Sequence, residues 1–200
     1  MHCSRCVAAP FPPKEKGPLH LALAFYAILE LMEVSILFEE GLEDSVDEGW
    51  LRGVVETTLR AEGLTDSADI SADISAGTSV EVSLVIAGQD EVHRLNREYL
   101  GEDRPTDVLS FPMLPPHAGD DPSFVTPPDG LRHLGEVIVS YPQAVTQAQE
   151  HGHTPTREVA ILIIHGVLHL LGYDHAEPAE EKAMRSREAA IMAQIEGGHA

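Results

Sequence analysis

Cysteine is almost absent from this chain. Two residues in 200 carry a thiol, Cys3 and Cys6, so no disulfide framework beyond that single pair is possible, which suits a reducing, cytoplasmic compartment. The pair forms a CxxC with His2 beside it, but no second pair exists to complete a four-ligand structural zinc site, and free thiols are the plain reading. Basic residues are scarce too: 13 Lys and Arg stand against 33 Asp and Glu, for a formal charge of −20. Such a field repels polyanions and anionic membranes, so a nucleic-acid role needs local basic groups or a metal. Aromatic residues make up 5% and hydrophobic residues 43%, a composition ordinary for one soluble domain.

Long hydrophobic runs are also missing. The most apolar stretch, Leu21 to Leu29, follows Lys14 and Lys16 and mimics a signal peptide. It is too short to span a bilayer, Glu30 and Glu33 follow it directly, and no small-residue cleavage site comes after it. No membrane role is expected. Residues 1–31 therefore read as a disordered or dispensable extension, and residues 32–196 as a single domain that begins near Met32.

Within that domain EVSILFEEG reads as a strand. In SVDEGWLRGVVETTLRAEG, one helical face carries Trp50, Leu51, Val54, Val55, Thr58 and Leu59, with Ser45 as N-cap and Gly63 as stop. A tandem SADI, Ser67 to Ile74, is polar and too short for a structural repeat, so it reads as loop. VEVSLVIAG alternates as a strand; QDEVHRLNREYLG is a helix with Val92, Leu95 and Tyr99 on one side, ended by Gly101. VLSFP is a third strand, Met113 to Gly130 a long loop rich in proline, glycine and aspartate, and LGEVIVS a fourth strand. PQAVTQAQEHG is a helix, and TPTREVAILIIHGVLHLLG a longer one that Thr154 caps, Pro155 opens and Gly172 closes. A last helix from Pro178 to about Ile195 presents Ala183, Met184, Ala190 and Ile191. Four strands and five helices without strict alternation predict an α+β fold: a four-stranded mixed sheet packed with helices.

The chemistry concentrates in HGVLHLLGYDH, from His165 to His175. Residues four apart share a helix face, with Cβ atoms about 5–6 Å apart, so His165 and His169 can offer two nitrogens to one zinc ion. Gly172 can take the left-handed conformation that ends a helix and turns the chain, bringing His175 to the metal from a second direction. Three ligands with an open fourth position is the catalytic pattern, whereas structural zinc is closed by four. Tyr173 and Asp174 in the turn are placed to orient a ligand imidazole. With 11 histidines in the chain, a second and third at these offsets arise by chance only about 0.03 times. Buried neutral imidazoles beside Ile164 and Leu168 would also each need a hydrogen-bond partner that an apolar helix does not offer. His151 and His153 lack this spacing and read as exposed helix-end residues. Histidine ligands also suit nickel, copper and iron.

The spacing HxxxHxxGxxH is that of metzincin peptidases, which carry Glu directly after the first His as general base. Gly166 stands there instead and cannot take a proton from water, which sets a zinc peptidase behind other readings.

HGVLHLLGYDH resembles the metal motif of the endoribonuclease YbeY family, bacterial rRNA maturation factors. LNREYLGEDRPTDVLSFP and LGEVIVS are similar to the family's two other signature stretches, in the same order, so the resemblance covers about Met32 to Ile195. It implies a zinc-binding helix carrying HxxxH, with His165, His169 and His175 holding one Zn2+. It also implies cleavage of single-stranded RNA in maturing the 3′ end of small-subunit rRNA and in ribosome quality control. The family commonly has Arg directly after the tyrosine of the second stretch, to hold phosphate, and often a basic residue two positions on. This chain has Leu100 and Glu102, and Glu136 where Asp is usual. Arg104, or Arg97 one turn before Gly101, is left to bind phosphate, and Arg104 is the catalytic candidate.

Two products discriminate mechanisms: direct attack by water leaves a 5′-phosphate and a 3′-hydroxyl, and attack by the ribose 2′-hydroxyl leaves a cyclic phosphate. A non-catalytic, zinc-stabilised ribosome-assembly factor, binding RNA or a basic ribosomal protein of the small subunit, is the alternative that the −20 charge and Leu100 favour.

Overall fold

Val80, Val82, Leu84 and Ile86 alternate with less buried residues and are all nearly inaccessible to solvent, which makes their strand the spine of the molecule. The computed structural model describes residues 32–64, 79–113, 131–175 and 177–198. Its elements are β1 (Met32–Phe38), α1 (Glu48–Ala61), β2 (Ser79–Ala87), α2 (Gln89–Leu95), β3 (Val108–Pro112), β4 (Leu131–Ser140), α3 (Tyr141–His151), α4 (Pro155–Leu170) and α5 (Pro178–Gly197). The predicted extension with its CxxC and apolar run, the SADI tandem and the loop from 114 to 130 lie outside the described residues. Among the described residues no helix is long and apolar enough to cross a membrane.

The four strands run in the order β1-β2-β4-β3. β1 and β4 flank β2 in parallel, and β3 closes the edge antiparallel to β4, so the sheet is mixed and the fold α+β, as the pattern predicts. The β2–β4 register shifts after Glu81. Gly135 sits at that bulge with φ of +137°, and a Cβ there would lie 2.2 Å from the Phe111 carbonyl oxygen. Only glycine fits such an approach.

One sheet face meets α1, α4 and α5 in the main core; the other is covered by α2, whose Val92 packs with Ala87, Leu109 and Ile138. Helix α4 is buried almost all round, through Val159, Leu162, Ile163, Ile164, Val167 and Leu168, each worth about 1.5–3 kcal/mol relative to exposure. Gly166 is part of that seat. A Cβ there would lie 2.5 Å from Val137 Cγ1, so its glycine lets α4 approach β4 closely. The same residue that argues against a peptidase is therefore a packing requirement.

Three expectations need correction. Asp47, not Ser45, caps α1, its carboxylate accepting from the Trp50 amide at 2.7 Å; a charged acceptor at a helix N-terminus outcompetes a hydroxyl two residues earlier. Regular helix ends at Leu95, and Asn96–Leu100 form a π-helical turn. The wider turn rotates Tyr99 off the apolar face and leaves it 63% exposed. On α5 the buried stripe is Met184, Ile191, Met192 and Ile195, while Ala183 and Ala190 face solvent. The predicted face of α1 holds, with Leu51, Val54, Val55, Thr58 and Leu59 buried.

Candidate metal centre

Helix α4 begins as its sequence predicts: the Thr154 hydroxyl accepts from the Arg157 amide at 3.2 Å and Pro155 occupies the first turn. Sixteen residues later it stops, and Gly172 turns the chain with φ of +90°. His165 and His169 share the one face of the helix that the core leaves half-open. The turn carries exposed His175 back over them, and one ligand nitrogen from each of the three lies within 4.8 Å of the others. The spacing in the sequence thus becomes convergence in space.

The protons on these rings can be placed. His169 Nδ1 lies 2.9 Å from the Tyr173 main-chain oxygen, which can only accept, so Nδ1 carries the hydrogen. His165 Nδ1 lies 2.7 Å from Glu188 Oε1 and donates to that carboxylate. Both Nε2 atoms then present lone pairs, and they face each other at 3.1 Å. Two neutral imidazoles so tautomerised have no proton to share between these nitrogens. A tetrahedral ion at roughly 2.0–2.1 Å from each would set them about 3.3 Å apart, so the donor set and its spacing fit a divalent metal. Burial, then repulsion from His165 and His175, pushes the His169 pKa below its usual value, against the pull of the Tyr173 carbonyl. That shift keeps the ring neutral, the form a metal needs.

The turn is itself anchored. Asp174 Oδ1 accepts from the His175 amide at 2.7 Å, and the Tyr173 hydroxyl donates to Glu62 Oε2 at 2.7 Å. The Glu62 carboxylate also takes Arg187 Nε at 2.5 Å. Burial and the Glu62 hydrogen bond raise the Tyr173 pKa. The predicted orienting role thus falls to the Tyr173 carbonyl, while its ring ties the turn to α1 and α5.

Two clefts meet at the histidines. One, of about 590 Å³, is lined by Asn96, Leu100, Arg104, Ser110 and all three imidazoles. The other, of about 460 Å³, is lined by His165, His175, Glu158, Arg185 and Glu188. Arg104 stands on the wall of the first, 74% exposed and ion-paired with Glu102 at 3.0 Å. Arg97 is not on either wall and lies 3.8 Å from Asp103. Leu100 lines the cleft where the family's arginine is expected.

Two residues that the sequence reading passes over belong to the site. Glu188 lies four residues after Met184 and three before Ile191, so a carboxylate on an apolar stripe was the available signal. Asp107 borders both clefts; its Oδ1 accepts from the Val108 amide and its Oδ2 from Gln147, each at 2.9 Å. Buried Asn96 donates to the Arg104 carbonyl at 2.8 Å and fixes the loop between them.

His151, His153 and Glu158 form a second group with converging atoms. His153 is not the exposed residue its sequence position suggests: its side chain lies 2.5 Å from the Glu158 carboxylate, itself 5% exposed. The contact is one of distance only, since His153 Nε2 and Glu158 Oε2 are both buried without a hydrogen-bond partner among the described residues. Arg157 donates to His153 Nδ1 at 3.0 Å, which puts the remaining ring proton on Nε2, toward Glu158. A metal needs a lone pair there. This group is therefore read as imidazoles close to a buried carboxylate rather than as a second metal centre.

The sequence model of the family described as Endoribonuclease YbeY matches residues 45–196. The chain is 43% identical over 167 residues to an endoribonuclease YbeY of Dehalococcoides mccartyi, spanning 82% of this chain and 93% of that one. It is 48% identical over 140 residues to the endoribonuclease YbeY of Roseiflexus castenholzii, spanning 70% and 83%. The solution structure of TM1509 from Thermotoga maritima superposes with a TM-score of 0.52 at 26% identity, covering 82% of this chain and 90% of that one.

Proposed function

Because the chain belongs to the endoribonuclease YbeY family, we propose that it is a zinc-dependent, single-strand-specific endoribonuclease of the cytoplasm. It acts in maturing the 3′ end of small-subunit rRNA and in ribosome quality control, on RNA held by the small subunit or one of its proteins. The observation that carries the metal reading is that the Nε2 atoms of His165 and His169 face each other at 3.1 Å while both Nδ1 atoms meet acceptors, with His175 closing on them. His165, His169 and His175 would hold one ion, and a bound zinc ion supplies an activated water and polarises a phosphoryl oxygen.

The chain's own groups do the rest. Glu188 holds His165, and the Tyr173 carbonyl holds His169, in the tautomer that leaves Nε2 free. Arg104, at the wall of the larger cleft, steadies a phosphate when Glu102 gives way to it. Gly166 supplies no base, and its packing against Val137 leaves no room for one.

Cleavage of an RNA bearing the small-subunit rRNA 3′ end, by the wild type and His169→Ala in parallel, tests the proposal. Cleavage lost in the variant and on chelation of the wild type supports it. Equal cleavage in both sinks it as contamination, and none in either moves the assignment to a non-cleaving assembly factor.

A further inference from the structure

Resting on the endoribonuclease reading, we infer that Tyr99, braced by Phe111 beside the Leu100 edge of the larger cleft, is a nucleobase-stacking subsite that supplies most of the affinity for single-stranded RNA.

Charge leaves that work undone. Among the described residues each cleft at the histidines has one arginine on its wall, and each is matched by a glutamate: Arg104 by Glu102 at 3.0 Å and Arg185 by Glu181 at 2.6 Å. Asp107, Asp174, Glu158 and Glu188 add negative charge to the same walls. Residues 114–130, which follow β3, contain no Lys or Arg. A polyanion gains little here from its phosphates, so its bases must contribute.

The rim offers a place for them. The π-helical turn Asn96–Leu100 sets Tyr99 and Leu100 outward, 63% and 57% exposed, at a cost in regular hydrogen bonding that π turns repay at functional sites. The Tyr99 ring meets Phe111 edge to face, with centroids 5.6 Å apart and an interplanar angle of 68°. Phe111 is half-buried on β3, which fixes the tyrosine while leaving it accessible. Leu100, the next residue, and Pro112, next to Phe111, line the cleft that holds the three imidazoles. Neither aromatic ring lines that cleft, and Phe111 packs with Val92, Leu109 and Ile138 on the sheet face away from α4. The exposed tyrosine stands next to Leu100, just outside the cleft's edge, where a strand leaving the imidazoles past Leu100 meets it. An aromatic face takes any base, which suits cleavage of single strands and excludes paired ones whose bases are stacked.

Anisotropy of a fluorescent, phosphorothioate-linked single-stranded RNA on the full chain tests this, against an abasic strand of equal length and charge. Tyr99→Ala is expected to weaken binding by about 5- to 150-fold. Tyr99→Phe should stay within about twofold, Tyr99→Leu should resemble Tyr99→Ala, and the abasic strand should bind no better than the alanine variant. The wild-type slope of log affinity against log salt should be no steeper than about −1.4, two phosphate contacts' worth. Unchanged binding in Tyr99→Ala, full binding by Tyr99→Leu or by the abasic strand, or a slope near −3 or beyond would overturn the subsite. Such a result beside intact, His169-dependent cleavage leaves the endoribonuclease standing. The expected losses beside absent cleavage would instead leave the subsite on an RNA-binding protein that does not cut.

Discussion

Tyr173 and Glu62 stand 111 residues apart in the chain, yet the phenol donates to the carboxylate at 2.7 Å. Arg187 binds the other oxygen of the same carboxylate, so two helices and the ligand-bearing turn meet at one acid whose side chain is 8% exposed. The Tyr173 backbone in turn orients His169, which couples the stability of the fold to the geometry of the site.

Tyr173→Phe removes that hydrogen bond while keeping the ring. It should cost about 1 kcal/mol in urea unfolding and weaken metal affinity more than an exposed control such as Ser186→Ala. An unchanged metal affinity would mean that the turn holds its shape without Glu62.

Glu188→Gln keeps the shape of the side chain and removes its charge. A weakened hold on His165 should lower metal affinity about 10- to 100-fold, read by competition with a chromogenic chelator, while the melting temperature of the metal-free protein changes little. Equal affinity would show that the charge of Glu188 adds nothing to the hold on His165.

Gly166→Ala should destabilise the protein, because its Cβ would fall 2.5 Å from Val137 Cγ1. Overpacking of about 1–3 kcal/mol outweighs the gain of about 1 kcal/mol that alanine brings to a helix interior. Val137→Ala in the same chain should recover part of the loss, so the two substitutions are expected to be non-additive in chemical denaturation. A stabilised Gly166→Ala would refute the close-packing account.

For the metal-free protein the His169 pKa lies below the 6.5 of a free imidazole. Above pH 6.5 neither state binds the proton and the stability is complete; as the pH falls toward the folded value, the unfolded chain takes up a proton that folded His169 refuses. Stability should therefore drop as the pH falls from about 6.5, and His169→Gln should flatten part of that slope. Denaturation curves of both proteins between neutral and mildly acidic pH decide it; identical slopes would assign the loss elsewhere.

Much of this was legible in the sequence because the informative patterns are local. The alternation of Val80 to Ile86, the cap at Thr154, the stop at Gly172 and the His165–His169 spacing each depend on neighbours within a few residues, and each has its expected counterpart in the fold. What stayed hidden depends on distance or on competition. Glu188 reaches His165 from another helix, Glu62 reaches Tyr173 from 111 residues away, and no periodicity encodes such pairs. Asp47 displaced Ser45 because two cap candidates compete, and Tyr99 left the apolar face because a π turn breaks the 3.6-residue period. His153 looked like a surface residue because the buried acid it meets lies on the next helix.

The three imidazoles all lie within eleven consecutive residues, whereas the carboxylate that steadies one of them arrives 23 residues later on α5. Closing so short a segment costs little chain entropy, so the ligand set can assemble as soon as α4 and its turn exist, before the sheet is complete. A metal held there would draw on two separate segments: α4 with its turn, which carries all three imidazoles, and α5, whose Glu188 reaches His165 only once that helix docks. An ion bound there would also bias the chain toward the native turn, because its binding free energy would count toward folding.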